Sequence, residues 1–227
     1  MSTLGPDVLS HLFDHLLIPV GAYSEIQVDL PIPSTEGRPP RFLDNLRNLP
    51  GFTAVYLALE YGKADIKFSG LGGKVWMTTR VDGNCLALKL LSYFDTSNTE
   101  RLEIRRGRSQ TSDLLHRALL PMQDLRTLVL TQCKDPHVLI HALHPSMSSS
   151  GAVICPELEE LIIELDFSEV IDIGKVAEIM AAKASRGVKL GTIRIVRGYR
   201  GVHIQPDVSE LEKHVSHVES PWPSGQQ

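Results

Sequence analysis

No stretch of this sequence approaches the roughly 20 apolar residues that a membrane-spanning helix requires. The apolar stretch near the N-terminus is interrupted by His11, Asp14 and His15, and no basic segment precedes it. Neither a membrane span nor a secretory leader is therefore predicted. Cysteine is scarce: Cys85, Cys133 and Cys155 form an odd set with no CxxC pair. That argues against a disulfide framework and a zinc knuckle and fits a reducing compartment, cytoplasm or nucleus. A dominant charge is missing as well. With 23 basic and 27 acidic residues the net charge is −4, too weak a field to gather a polyanion, so neither nucleic acid nor membrane is expected as the main partner. What is present, 42% hydrophobic and 22% charged residues over 227 positions, suffices for a sizeable core.

Recognisable reaction chemistry is also lacking. His137, His141 and His144 have the i, i+4, i+7 spacing that can offer imidazoles to a metal, but no Glu follows the first as in HExxH. They read as ordinary histidines on an outer helix, and so do His214 and His217 near the C-terminus. Gly70 to Lys74, GLGGK, has Phe68 where a phosphate loop needs glycine and Val75 where it needs Ser or Thr, so it reads as a hairpin turn. Ser148, Ser149 and Ser150 lack a nucleophile-elbow context. No metal, no cofactor and no enzymatic activity are expected.

The stretch around which the chain is organised is Leu125 to Cys133, LRTLVLTQC, with apolar residues at its first, fourth and sixth positions and cysteine at the ninth. This is a leucine-rich-repeat signature. A short parallel strand sends its branched side chains into one core, and the ninth residue sits where the chain leaves the strand and backbone polar groups need partners. The spacing recurs at Phe52, Val55 and Leu57, at Leu102 and Ile104, at Leu158, Leu161 and Ile163, at Leu190, Ile193 and Ile195, and more loosely at Tyr23, Ile26 and Val28. The sixth-position residues Val28, Leu57, Ile104, Leu130, Ile163 and Ile195 are 29, 47, 26, 33 and 32 residues apart. The fold expected is α/β, a leucine-rich-repeat solenoid with a parallel sheet and outer helices over residues 1–219, with a β-hairpin inserted at about 65–79 in the longest step. An open doubly wound sheet would show more continuously apolar strands and a glycine-rich first turn.

Between the strands, Leu9 to Leu17 and Phe42 to Leu49 have helical spacing, as does Cys85 to Phe94. Helices are also predicted over Asp113 to Leu120, over Pro136 to Leu143 with Asp135 as N-cap, and from Ile173 to Ala184 with Gly187 as C-terminal cap. In the hairpin, Ile66 and Phe68 alternate against Val75 and Met77. A last helix is expected to open at Asp207 and Glu210 and to bury Val208, Leu211, Val215 and Val218, before a disordered tail over 220–227.

The runs FDTSNTERLEI, RALLPMQDLRTLVLTQCKDPHVLIHALHPSMSSSGAVICPELEELIIELD, AAKASRGVKLGTIRIV and ELEKHVSHVE resemble the C-terminal leucine-rich region of the F-box proteins abundant in mushroom-forming fungi. The resemblance implies a protein-binding role, the substrate-recognition part of an SCF-type ubiquitin ligase subunit, in which an F-box docks on the Skp adaptor and the repeats hold the target. Leu4, Pro6, Asp7, Val8, Leu9, Leu12 and Leu16 mimic the opening helix of an F-box, but the EIQVDL strand arrives before further F-box helices fit. No F-box is recognised, which leaves the Skp contact without its usual element. A repeat scaffold unrelated to ubiquitination and a truncated, non-functional family copy are the alternatives.

The functional surface of such a solenoid is usually the concave sheet face, formed by residues flanking the buried leucines. Here these are Ala54, Tyr56, Ala58, Arg101, Glu103, Arg105, Thr127, Val129, Thr131, Glu160, Ile162, Glu164, Thr192, Arg194 and Val196. Tyr and Arg anchors around an apolar middle point to a protein partner or ubiquitination target. Two basic clusters, Arg101, Arg105, Arg106 and Arg108, and Arg194, Arg197 and Arg200 with Tyr199, become neighbours if the strand ends adjoin, a patch suited to an acidic or phosphorylated partner.

Overall fold

The computed structural model describes residues 24–31, 52–60, 63–70, 73–80, 88, 91, 94–107, 112–147, 153–166, 171–197 and 207–220. The helices expected over Leu9 to Leu17 and Phe42 to Leu49, the serine loop at 148–150 and the tail from 221 lie outside these residues. Within them the chain forms a mixed α/β unit on one nine-stranded sheet. The strands are β1 (Ser24–Pro31), β2 (Phe52–Glu60), β3 (Lys63–Gly70), β4 (Gly73–Arg80), β5 (Arg101–Arg105), β6 (Thr127–Thr131), β7 (Glu160–Leu165), β8 (Leu190–Arg197) and β9 (Val215–Glu219). The helices are α1 (Ser112–Leu119), α2 (Pro136–Ile140), α3 (Ile173–Ala184) and α4 (Ser209–Glu212).

The strand order is β1-β4-β3-β2-β5-β6-β7-β8-β9. From β2 onward β5 to β9 join one after another, every pair parallel. This sequential order has no point at which it reverses, unlike a doubly wound sheet. On the other side β3 pairs antiparallel with both β2 and β4, and β1 pairs parallel with β4. Only β3 therefore runs against the rest. The β3–β4 ladder sets Ile66 opposite Met77 and Phe68 opposite Val75. These strands form no excursion from the sheet: they separate β1 from β2, which a simple repeat would have placed side by side.

Alternation along each strand divides the sheet into two faces. Three columns on one face, Phe52/Thr99/Leu125/Leu158/Leu190, Val55/Leu102/Leu128/Leu161/Ile193 and Leu57/Ile104/Leu130/Ile163/Ile195, are no more than 5% exposed. They share one core with Leu115 and Leu119 of α1, Leu139 and Ile140 of α2, and Val176 and Met180 of α3. All four described helices contribute to this core, since α4 adds Leu211. The opposite face contributes nothing to it.

Entry and exit repeat along with the columns. Arg126 and Thr127 both donate backbone N–H groups to Glu100 O, and Glu159 and Glu160 do the same to Arg126 O. At the exits Arg106 and Gln132 take left-handed φ values of 58° and 52°, and their N–H groups stay on the ladder through Thr131 O and Glu164 O. The next position is Gly107 after β5 and Cys133 after β6. The Cys133 thiol donates to Ile104 O at 3.3 Å and accepts from Gly107 N at 3.3 Å. That is the role the ninth position was expected to fill. A Cβ at Gly107 would lie 2.9 Å from Leu139 Cδ1 and 3.3 Å from the same sulfur, so a side chain at the first of these turns would have to displace the Leu139 tip, where the second holds cysteine.

Three local expectations are corrected. Asp135 is left-handed, at φ 53°, and its side chain makes no capping bond, although Pro136 does open α2. The Lys134 N–H is tied to Gly107 O, and the chain enters the helix from that turn without the extended N-cap geometry that would aim the carboxylate at the first amides. The segment Pro136 to Leu143 is α-helical only to Ile140 and continues as a 3-10 turn, His141–Leu143. The last helix stops after one turn, and Val215 to Glu219, expected as its continuation, is a strand paired with β8. The spacing of Val208, Leu211, Val215 and Val218 suits a helix, but a free β8 edge together with β-branched valines favours the ladder. By contrast α3 has the bounds its periodicity indicated, with Asp172 accepting from Lys175 N. Gly187, at φ 83°, follows its end and donates to Ala184 O.

Candidate functional site

The face that carries no described helix presents its side chains in three continuous rows. The first is Lys74–Ser69–Ala54–Arg101–Thr127–Glu160–Thr192–His217 and the second Trp76–Lys67–Tyr56–Glu103–Val129–Ile162–Arg194–Glu219. The third is Thr78–Asp65–Ala58–Arg105–Thr131–Glu164–Val196. All the residues predicted for a binding surface, Tyr56, Arg101, Glu103, Arg105, Thr127, Val129, Thr131, Glu160, Ile162, Glu164, Thr192 and Arg194, fall on these rows. Their availability differs. Val129 and Ile162, read as the apolar middle of a contact surface, are only 2% and 8% exposed, and flanking longer side chains leave them little area to offer. Arg101, Glu164 and Val196 are exposed, and Tyr56, Glu103, Arg105, Thr127, Thr131, Glu160, Thr192 and Arg194 are half-buried.

Charge is distributed unevenly along the rows. Over β2 to β5 they hold Lys67, Lys74, Arg101 and Arg105 against Asp65 and Glu103; over β6 to β9 they hold Arg194 against Glu160, Glu164 and Glu219. Ion pairing deepens the contrast. Arg194 is engaged by Glu160 at 3.3 Å and by Glu219, and the Glu219 carboxyl is held below its usual range chiefly by its hydrogen bond from Arg194. Arg101 lies 3.7 Å from Glu103, and Arg105 Nε donates to Gln132 Oε1 at 3.3 Å. Asp65 accepts from Thr78 Oγ1 at 2.7 Å and pairs with Lys63. Among the described residues no carboxylate lies within salt-bridge distance of Lys67 or Lys74.

The two basic clusters do not merge. β5 and β8 are separated by β6 and β7, about 14 Å at the usual strand spacing, and Arg194 is neutralised from both sides. Arg108, Tyr199 and Arg200 lie outside the described residues. What sequence reasoning missed is the contribution of β3 and β4. Lys67 Nζ stands 4.2 Å from the Trp76 ring centroid and 5.2 Å from that of Tyr56, and these three residues, with Lys74, Ser69, Ala54, Arg101 and Glu103, line a hollow of about 400 Å³. The alternation of Ile66 and Phe68 already sent Lys67 to the other face. Treating the hairpin as an insertion kept it off the binding surface.

Elsewhere, His141 and His144 stack at 5.5 Å, and His144 Nδ1 lies 2.6 Å from Ser146 Oγ. No group of three metal-binding side chains occurs among the described residues. No described helix is long and apolar enough to cross a membrane. Among the described residues the one buried ammonium is Lys183 of α3, 1% exposed, which donates to Ile154 O at 2.6 Å and Cys155 O at 3.4 Å. It ties the loop before β7 to the helix layer. Burial pushes Lys183 from 10.5 down to about 8 and the Cys155 thiol from 9.0 up to about 12, each moderated by the other's charge. The folded chain thus releases the lysine proton near 8 while the unfolded chain keeps it to 10.5, so stability rises with pH between those values; Cys155 opposes it above 9.0. Urea titrations of the reduced protein should show a gain of about 1 kcal/mol from pH 7 to pH 9. An equal gain in Lys183→Met would remove the lysine as its source.

No protein-family model, curated protein or solved structure matches the chain.

Proposed function

We propose that the chain is a leucine-rich-repeat solenoid that binds a protein partner on the sheet face that carries no described helix, as the substrate-recognition part of an F-box ubiquitin-ligase subunit does. The observation that carries this reading is the three-row face itself. Eight of its nine strands point the same way, and it displays Tyr56, Trp76, Arg101 and Arg194 on strands that are paired on both sides. A rigid surface of aromatic and arginine anchors gives a protein contact area at low ordering cost. The repeated columns, the doubled left-handed exits and the Cys133 bridge support the repeat assignment. The protein works as a binding module without catalysis of its own, in the cytoplasm or nucleus.

Affinity capture of the tagged chain from its own cells tests this reading. Recovery of the Skp adaptor and a cullin along with specific partners supports a ligase role; specific partners without ligase subunits support a binding scaffold. Tyr56→Ala/Arg194→Ala is expected to cut partner recovery at least tenfold in a chain that keeps its folded far-ultraviolet circular dichroism, since both side chains are partly exposed. Undiminished recovery by the folded double variant would remove the face from the account.

A further inference from the structure

We propose that the hollow over β2 to β5 is the subsite for an acidic peptide segment of the partner, one whose side chains bear anionic oxygens. The inference rests on the reading of this face as a protein-binding surface and assigns the chemistry that its positive end selects. Lys67, Lys74 and Arg101 border the same hollow of about 400 Å³, and Glu103 is the carboxylate among its lining residues. The net charge of the chain is −4, so this concentration of cations runs against the protein's general sign and against the acidic far end of its own rows.

Two further observations agree. Lys67 and Lys74 are exposed, and neither has a carboxylate partner among the described residues, so an arriving anion need not displace an internal one. The Lys67 ammonium rests between the Tyr56 and Trp76 rings, a position that fixes the charge without neutralising it. The two rings flanking the charge give the apolar stems of acidic side chains a surface to lie on. Register then orients the segment: it crosses the strands along the rows, its acidic part over β2 to β5 and any basic residues toward Glu160, Glu164 and Glu219.

The test uses the full chain with Trp222→Phe, which leaves Trp76 as the remaining indole of two, and follows its emission. Octaglutamate should change the emission saturably, and octaglutamine should not. Binding should weaken with added salt and fall at least tenfold in Lys67→Gln/Lys74→Gln and in Arg101→Gln, exposed positions whose substitution spares the fold. Arg117→Gln, an exposed change on α1 on the helix side of the sheet, should bind octaglutamate as the parent does. An octapeptide alternating phosphoserine and alanine identifies the anion: tighter binding than octaglutamate assigns phosphate, and weaker binding assigns carboxylate. The proposal is overturned if octaglutamine binds equally, if the lysine variant binds undiminished, or if octauridylate binds as tightly as both peptides. Failure here, with partner recovery still lost in Tyr56→Ala/Arg194→Ala, removes the subsite alone; recovery surviving that double variant removes the parent reading.

Discussion

Replacing Leu130 by alanine is expected to lower the unfolding free energy by about 3–5 kcal/mol, while replacing its neighbour Thr131 changes it by less than about 0.5 kcal/mol. Leu130 is 0% exposed and sits in the column Leu57–Ile104–Leu130–Ile163–Ile195 beneath the helices. Thr131 belongs to the opposite face, and the ladder bond made at this residue uses its carbonyl, which alanine retains. Because the side-chain period of a strand is two, a pairing slip of one residue would exchange these roles along the whole strand. The pair of variants therefore tests the register as well as the cavity. Against a total stability of about 5–15 kcal/mol, the Leu130 variant should unfold at a much lower urea midpoint with the same slope. Equal losses at both positions would contradict the division of the sheet into a face that packs on the helices and a face that carries no described helix.

How far the sequence reached depended on whether a signal was local. The first, fourth and sixth positions named the buried columns correctly from Phe52 to Ile195, because a parallel strand's alternation is written into consecutive residues. Cys133 was also legible: its partners at Ile104 and Gly107 belong to the preceding turn, but the need for a polar group there follows from the chain leaving a strand. The strand at Val215 to Glu219 was not legible, since Val215 and Val218 continue the helical spacing of Val208 and Leu211 and only the waiting edge of β8, with Arg194 beside Glu219, decides otherwise. Asp135 misled for a similar reason. Its composition suits a cap, while the bond from Lys134 to Gly107 sets a turn that cannot use it.

The binding rows were legible in part. The flanking residues of β2 and β5 to β8 were named because they alternate with the leucines, yet whether each could be reached depends on neighbours across strands. Val129 lies between Glu103 and Ile162 in its row and is covered; Arg194 lies between two acidic residues and is neutralised. Neither fact is a property of one strand. The same holds for the hollow, whose cations come from β3, β4 and β5, strands brought together by a pairing order that differs from chain order. Charge separation along the face is thus a product of topology: inserting β3 and β4 between β1 and β2 places Lys67 next to Tyr56, Lys74 on the strand beyond, and both at the far end from Glu219.

That insertion should also carry a large share of the stability. Phe68→Ala is expected to cost about 3–5 kcal/mol, as much as the truncation at Leu130, although Phe68 lies in the hairpin rather than in a repeated strand. Phe68 is 0% exposed, and its ring lies 4.9 Å from that of Phe52 and 4.4 Å from that of Phe94. Phe52 opens β2 and Phe94 precedes β5, so the hairpin supplies the ring that fills the space between two successive elements of the core. A dispensable appendage would behave differently: its loss would appear as a separate early transition, and alanine at Phe68 would leave the main midpoint in place. Urea unfolding followed by far-ultraviolet circular dichroism should instead show one transition, moved to lower urea by Phe68→Ala with its slope unchanged. Lys67→Ala, one residue away on the other face, should leave it nearly where it was. A loss below about 1 kcal/mol at Phe68 would detach the hairpin from the core and, with it, the reason that the hollow beside Tyr56 is held open and positively charged.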